Sequence, residues 1–138
     1  MDFSKTASFQ FSKAANVFRN LLERKMTEIG LHSGQVFVLV ELWRTDGQRQ
    51  IDLASRLRLS PPTVNKILGG LIGSDFVTRG RYEDDARSTR IYLTQKGIDV
   101  QQQVEQQWIE LEELVLGELT ETERLILLQL LEKIIGGG

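Results

Sequence analysis

The feature that most constrains the fold is a change in the spacing of apolar residues near residue 75. Before that point, and again after residue 94, apolar side chains recur three and four positions apart, which is typical of helices that bury one face. Between residues 76 and 93 they alternate with polar side chains, which is typical of strands. The sequence therefore predicts a mainly α fold with one small β-hairpin.

Capping and turn residues divide the helical part into six predicted helices. Gly30 ends the first helix, and Ser33 can cap the second. The expected N-caps of the fourth, fifth and sixth helices are Ser60, Thr94 and Thr120, the last in a capping box with Glu123. The apolar run Val36–Val40 by itself fits a buried strand as well as a central helix. The predicted helices cover residues 7–29, 33–43, 51–57, 61–74, 95–115 and 125–135.

The third and fourth helices are separated only by residues 58–60, and Pro61 and Pro62 suit a first helical turn, where a missing N–H matters least. The hairpin that follows has predicted strands Phe76–Tyr82 and Ser88–Leu93, joined by the polar loop 83–87. This order of elements predicts a helix-turn-helix with a wing.

Composition narrows the function classes. The 138 residues include no Cys and one His, which excludes thiol catalysis, thiolate metal sites and His clusters. Ser33 next to His32 lacks an obvious acid to orient the imidazole, so we expect neither an enzyme nor a metal or other cofactor. The chain has no signal-peptide core and no apolar run of membrane-spanning length, which predicts a cytoplasmic protein.

The net charge of −2 hides an uneven distribution. Residues 44–96 carry ten basic and six acidic side chains, whereas residues 97–138 carry two and nine. A positive middle segment suits a polyanion such as nucleic acid. An ordinary solvated surface would give the same balance, so the positions of individual residues have to decide between the two interpretations.

The last predicted helix is apolar on nearly every side. Burying one large aliphatic side chain stabilises a protein by roughly 1.5 to 3 kcal/mol. If this helix buried only one face, several of its aliphatic side chains would stay in water and contribute nothing to stability. Packing within one chain is an alternative, but we favour a homodimer formed by the terminal helices. The apolar residues are Leu125, Ile126, Leu127, Leu128, Leu130, Leu131, Ile134 and Ile135.

The fourth helix presents polar side chains where a helix-turn-helix reads DNA. Its apolar spacing turns Val64 and Ile67 inward and leaves Thr63, Asn65 and Lys66 on the outer N-terminal surface. Asn can form two hydrogen bonds with an adenine edge, Lys donates to guanine or phosphate, and Thr offers a hydroxyl and a methyl group. A plain polar helix face is the alternative.

The hairpin adds positive charge beside this helix. Arg87 belongs to the predicted loop, which is narrow enough for this side chain to reach into a minor groove. Asp85 would repel phosphates, so we expect it to bond the loop backbone or a guanidinium within the wing, with a weak surface ion pair as the alternative. The arginines of the hairpin are Arg79, Arg81, Arg87 and Arg90.

Four segments of residues 31–97 resemble the MarR (multiple antibiotic resistance regulator) family of winged-helix transcription factors, and the flanking helices are similar to its dimerisation region. The resemblance implies one domain over residues 1–138. Its DNA-binding lobe would be residues 31–97, and its dimerisation helices would lie in residues 1–30 and 98–138. The four segments are Gln50–Ala54, Leu59–Lys66, Asp85–Arg87 and Leu93–Gly97.

The resemblance implies a homodimeric repressor that binds double-stranded DNA at a pseudo-palindromic promoter site and is released by a small-molecule effector. It places the fourth helix in the major groove, Arg79 near the DNA backbone, and Asp85 and Arg87 in the wing. A winged helix that binds protein instead of DNA is the alternative function. The candidate DNA-binding residues are Gln50, Ser60, Pro62, Thr63, Asn65, Lys66, Arg79, Arg81, Asp85, Arg87 and Arg90.

The same resemblance implies an effector pocket between the lobe and the dimerisation helices. Aromatic residues at this spacing are also typical of an ordinary core. Three positions depart from the family pattern: Asp75 stands where Gly is usual, Gly70 where a basic residue is frequent, and Lys66 where Arg is frequent. The candidate pocket residues are Phe18, Leu22, His32, Phe37 and Trp108.

Overall fold

The structure, a computed structural model, describes residues 1–82 and 85–137, and the side chains of residues 1–80 and 89–136. These residues form six α-helices, three strands and a 3-10 turn at Phe3–Lys5, which confirms the predicted mainly α fold. The elements are α1 (Ala7–Thr27), α2 (Ser33–Arg44), β1 (Gln48–Arg49), α3 (Gln50–Leu57), α4 (Pro61–Gly73), β2 (Val77–Tyr82), β3 (Asp85–Leu93), α5 (Gln95–Leu116) and α6 (Glu121–Gly137).

Helix α2 lies at the centre of the core. Val36, Leu39 and Leu42 are fully buried, because α1, α3, α4, α5 and β3 all pack against this helix. The ambiguous run is therefore helical, and its apolar residues find neighbours on most sides. The indole Nε1 of Trp43 donates to the Gly97 carbonyl at 2.9 Å and ties the end of α2 to the start of α5.

The start of α2 differs from the prediction. His32, not Ser33, is the N-cap, and its backbone N–H donates to the Gln35 side-chain oxygen at 2.9 Å. Ser33 is already helical, and its N–H donates to the Glu23 carboxylate of α1 at 2.8 Å. The Ser33 cap is wrong because a carboxylate from another helix satisfies a donor at this helix start.

The connection between α3 and α4 is as tight as the sequence predicts. Arg58 adopts the left-handed conformation, with φ of 55°, and the Leu59 N–H closes the turn on the Ala54 carbonyl at 3.0 Å. The Ser60 hydroxyl accepts a hydrogen bond from the Thr63 N–H at 3.3 Å, which confirms the predicted cap. Pro61 begins α4, where no intrahelical donor is needed.

The end of α4 shows why Asp75 can replace the usual glycine. Its φ is 65°, in the left-handed region that Asp and Asn tolerate better than most residues. This conformation allows the Phe76 N–H to donate to the Leu71 carbonyl at 2.9 Å, so the helix ends with that carbonyl satisfied.

The three strands form an antiparallel sheet in the order β1-β3-β2. Strand β1 was not predicted, since two residues are too few to show an alternating pattern; Gln48 pairs with Ile91 and Arg49 with Arg90. Strand β3 begins at Asp85, ahead of the predicted start at Ser88, so residues 85–87 belong to a strand and not to the predicted loop. The rest of that predicted loop, residues 83 and 84, lies outside the described residues.

The last two helices begin at predicted caps. The Thr94 hydroxyl accepts from the Gly97 N–H at 3.1 Å at the start of α5. Thr120 and Glu123 form the predicted reciprocal capping box before α6, at 2.9 and 3.1 Å. In α6, no residue whose side chain is described is buried. Among the described residues, no helix combines the length and apolar character of a membrane span.

Candidate nucleic-acid interface

The N-terminal half of α4 presents an exposed polar surface. Pro62, Thr63 and Lys66 are exposed, while Val64 and Leu68 on the opposite side are fully buried. The Ser60 and Thr63 hydroxyls are 2.8 Å apart, so Ser60 serves the helix start while remaining at the surface. Because the apolar side of α4 is buried in the core, its polar side must face solvent, which is the orientation that insertion into a DNA groove requires.

Asn65 joins three elements at this surface. Its side-chain oxygen accepts from Arg79 Nη2 of β2 at 2.9 Å and from Gln50 Nε2 of α3 at 3.3 Å. The three side chains, with Gly80 and Thr89, line a polar hollow of about 360 Å³. The structure therefore brings Gln50, Asn65 and Arg79 together, and we call these three residues the amide cluster.

The hairpin continues away from this cluster. Arg81 follows Arg79 along β2, whereas Asp85 and Arg87 lie on β3. The side chains of Arg81, Asp85 and Arg87 lie outside the described residues, so their contacts in the wing stay a prediction.

Arg90 differs from the other hairpin arginines. It is half-buried, and its Nη1 donates to the Gly47 carbonyl at 2.9 Å, across the base of the sheet. Gly47 has φ of 72°, in the turn that leads into β1. Arg90 therefore holds this turn against β3, and its candidate role in DNA binding stays a prediction.

Gln48, a polar residue that was not predicted from the sequence, joins the sheet to α2 and α3. Gln48 is only 4% exposed, and its Nε2 donates to the carbonyls of Glu41 and Thr45, each at 2.8 Å. Its side-chain oxygen accepts from Arg56 of α3. Gln48 thus satisfies the end of α2 while its backbone pairs with β3, but one glutamine after a turn carries no periodic signal in the sequence.

An ion pair at the start of α3 lies next to Gln50. The Arg49 guanidinium contacts the Asp52 carboxylate at 2.9 Å, and this hydrogen bond lowers the pKa of Asp52. Asp52 is therefore ionised at neutral pH and offsets part of the positive charge at this edge. This pair was also missed by the sequence analysis, although its three-residue spacing suits a helix start.

Three of the predicted effector-pocket residues, Phe18, Phe37 and Trp108, line two separate apolar spaces. Phe37 and Trp108 lie in an open apolar groove of about 740 Å³ between α2 and α5. Phe18 and Trp108 line a second cavity of about 340 Å³ between α1, α5 and α6. Trp108 separates the two spaces, with edge-to-face contacts at ring-centroid distances of 5.9 Å to Phe18 and 6.3 Å to Phe37.

Leu22 and His32 belong to neither space. Leu22 is 1% exposed and packs in the core. The His32 side chain is 72% exposed and its Nδ1 lies 2.9 Å from the Glu23 carboxylate, so the imidazole points outward. This hydrogen bond and the one from the Ser33 backbone lower the pKa of Glu23. Leu22 thus fills the core and His32 lies at the surface beside a helix start, and a role of either residue in an effector pocket stays a prediction.

Helices α3 and α4, their tight connection and the three-stranded wing define a winged helix-turn-helix protein. Residues 31–89 match the model of the MarR family. The resemblance to this family seen in the sequence is therefore confirmed by a match over residues 31–89.

One curated relative is the HTH-type transcriptional regulator TtmR of Methylorubrum extorquens (strain PA1), which is 33% identical over 89 residues. The match covers 64% of this chain and 46% of TtmR, so it spans about half the length of that relative. More than half of TtmR therefore lies outside the match.

Solved structures extend the likeness to most of the chain. A MarR transcriptional regulator from Methanosarcina mazei Go1 superposes with a TM-score of 0.83 at 26% identity and covers 93% of each chain. MepR from S. aureus, solved as a DNA complex, has a TM-score of 0.83 at 25% identity, with 96% of this chain and 97% of MepR covered. The terminal helices therefore share the fold of these proteins as well as the winged helix.

Proposed function

We propose that this chain is a transcriptional regulator that binds duplex DNA as a homodimer, acts as a repressor at a pseudo-palindromic promoter site, and is released by a small-molecule effector. The observation that carries the proposal is the exposed N-terminal half of α4, held beside Arg79 by the amide cluster. The similarity to MepR, which was solved with DNA, supports the same interpretation.

In this proposal α4 enters the major groove. Thr63 and Lys66 are exposed on the side opposite the buried Val64 and Leu68, so they face the base edges and phosphates. Pro62 and the Ser60 hydroxyl contact the DNA backbone at the helix start, where the N-terminal end of the helix dipole favours phosphate. Gln50 and Arg79 flank the groove from α3 and β2.

The wing supplies the second contact with DNA. Arg87 enters the adjacent minor groove, where the negative potential is concentrated, and Arg81 neutralises a phosphate. Asp85 orients the arginines of the wing. Arg90 acts indirectly, because its bond to the Gly47 carbonyl fixes the turn that anchors the sheet.

The homodimer forms through the terminal helices. Six large apolar residues of α6 are between 49% and 62% exposed in one chain, which leaves an apolar surface that a second copy would cover. A twofold dimer presents two α4 helices, and spacing them about 34 Å apart matches one turn of duplex DNA. The six residues are Leu125, Ile126, Leu128, Leu130, Ile134 and Ile135.

The effector binds the groove between α2 and α5. At about 740 Å³ it has the size of a small-molecule site, and its lining is mainly aromatic and aliphatic. Arg44 and Glu105 at its border supply the polar contacts. A molecule there would lie between the lobe and a dimerisation helix, so it can change the separation of the two α4 helices.

Enrichment of genomic fragments by the purified protein, followed by titration of an enriched duplex at several salt concentrations, tests DNA binding. Each phosphate contact steepens the log-log salt dependence by about 0.9, so we expect a slope of about −4 or steeper for two protomers. An affinity that stays flat with salt, or no enriched fragment, would contradict the proposal and favour a winged helix that binds protein.

Light-scattering mass measurement tests the dimer. The double substitution Leu128→Asp and Ile135→Asp places two charges on one face of α6, so we expect the mass of a single chain and a loss of DNA affinity of at least about a hundredfold. Thr122→Asp adds the same kind of charge at the exposed start of α6 and should leave both unchanged. A wild-type protein with the mass of one chain refutes the dimer.

A further inference from the structure

Resting on the proposed binding of duplex DNA, we infer that Asn65 reads its base only as a hydrogen-bond donor. It would therefore select a base edge that carries acceptors alone, guanine first. The observation behind this inference is the amide cluster, in which the Asn65 oxygen is already occupied in the free protein.

The orientation of the Asn65 amide follows from the chemistry of its neighbour. A guanidinium has N–H donors and no acceptor, so the atom of Asn65 that lies 2.9 Å from Arg79 Nη2 must be the oxygen. Gln50 Nε2 approaches the same oxygen at 3.3 Å. An amide oxygen has two lone pairs, and these two donors engage both.

The amide nitrogen of Asn65 is placed differently. Asn65 is exposed on α4, and within the part of the chain that the structure describes no acceptor receives a hydrogen bond from its Nδ2. The two N–H groups are therefore the part of this side chain available to DNA. The amide cluster converts an amide, which usually both donates and accepts, into a donor.

The major-groove edges of the bases respond differently to such a donor. Adenine is read by an amide through one accepted and one donated bond, so an occupied oxygen loses half of that recognition. Guanine presents N7 and O6, two acceptors that one NH₂ group can serve, and thymine presents O4. Cytosine offers a donor there and is disfavoured. The inference thus differs from the sequence-based expectation that an Asn at this position can bond an adenine edge twice.

Selection from duplexes randomised at every position tests the inference, with the full chain as the reagent. The base pair read by residue 65 is the one whose preference disappears in Asn65→Ala. We expect guanine at that position in the wild-type selection, enriched about fivefold to tenfold over adenine. An enrichment of this size corresponds to one or two hydrogen bonds between uncharged groups. Adenine as the leading base, or no position that responds to Asn65→Ala, overturns the inference.

Asn65→Asp separates base reading from a structural role. The carboxylate keeps acceptors for Gln50 and Arg79 but has no N–H, so the amide cluster survives and the donor is lost. We expect the guanine enrichment to vanish, while the unfolding midpoint stays close to that of the wild type. Guanine enrichment that persists in Asn65→Asp shows that residue 65 acts only by holding its neighbours, and overturns the inference.

Releasing the oxygen gives the complementary test. In the double variant Gln50→Met and Arg79→Met both donors are removed while chain length is kept, so adenine should rise about fivefold relative to guanine at the same position. Lys66→Met removes a cation from the same helix without touching the Asn65 oxygen, and should weaken binding while leaving that base ranking unchanged. An unchanged ranking in the double variant contradicts the inference.

The two levels of failure can be told apart. If the wild-type protein enriches no duplex, the proposed function fails. If it enriches a duplex but ranks the bases at this position differently, only the role of Asn65 fails.

Discussion

The winged-helix lobe and the C-terminal helices bury their apolar residues in different ways. In the lobe, Leu39, Leu53 and Leu68 are fully buried within one chain, and positive charge lies at the surface. In α6, large aliphatic side chains remain about half exposed, and residues 97–138 carry nine acidic and two basic side chains. The core of the lobe is thus complete within one chain, whereas α6 exposes an apolar surface that the second copy of the proposed dimer would cover.

The largest expected effect tests whether the lobe core is independent of assembly. Leu39→Ala should lower the free energy of unfolding by about 2 to 5 kcal/mol, because it leaves a cavity in α2 that its neighbours cannot fill. The loss should be the same at low and high protein concentration in urea unfolding.

Leu128→Ala on α6 is the matched substitution. Leu128 is 54% exposed in one chain, so its truncation should act through the dimer, and its effect should grow as the protein is diluted. If the loss in the free energy of unfolding depended on protein concentration equally for Leu39→Ala and Leu128→Ala, the two regions would not differ in how they bury their apolar residues.

The second prediction concerns the wing. Arg87→Ala should weaken binding of an enriched duplex about tenfold and make the salt dependence shallower by about 0.9 per protomer, because one phosphate or minor-groove contact is lost. Fluorescence anisotropy measures both, and light scattering should show an unchanged dimer. Arg24→Ala removes an exposed arginine from α1, remote from the wing, and serves as control. Identical affinities for wild type and Arg87→Ala would remove the wing from the interface.

A third prediction uses two neighbouring glycines of α4. Gly69→Ala should stabilise the protein by about 0.5 to 1 kcal/mol, since an added Cβ meets nothing within 4 Å and Ala favours helix. At Gly70 the Cβ would lie 2.8 Å from Gln35 Nε2, and Gln35 is buried and caps α2. Gly70→Ala should therefore be the less stable of the two in thermal unfolding. The reverse order would show that Gln35 can move without loss.

The smallest expected effect is a pH dependence at the start of α2. The pKa of Glu23 is lowered by its hydrogen bonds to His32 and to the Ser33 backbone, so the folded state favours the carboxylate. Its contribution is present above the ordinary value of 4.5 and is lost as the pH falls through the lower folded value. Urea unfolding of Glu23→Gln should show a small destabilisation at pH 7 that disappears in acid. A difference that grows in acid would contradict this sign.

The sequence predicted those parts of the fold that local chemistry determines. Ser60 with two prolines marked the start of α4, and Thr94 and Thr120 marked the starts of the last two helices; these caps act through neighbours only three residues away. Strand β1 was not predicted, because its two residues form a strand only through pairing with β3, which lies about 40 residues further along the chain.

The candidate site was predictable to a similar degree. Exposure of Thr63 and Lys66 follows from helical periodicity, which the sequence contains. The bond from Arg90 to Gly47 and the bonds of Gln48 join segments that meet only in the folded chain. The surroundings of His32 and Leu22 also depend on such contacts, since helical spacing does not tell which neighbour covers a face.

The hydrogen bond from Trp43 to the Gly97 carbonyl joins α2 of the winged-helix lobe to the long helix α5. Gly97 also lies so close to Phe76 that a side chain there would collide with its carbonyl oxygen. Helix α2, helix α5 and the chain at Phe76, just before β2, are therefore packed rigidly against one another. A tilt of α5 would therefore move the winged-helix lobe as one body, so that the proposed contact with DNA would change without a rearrangement inside the lobe.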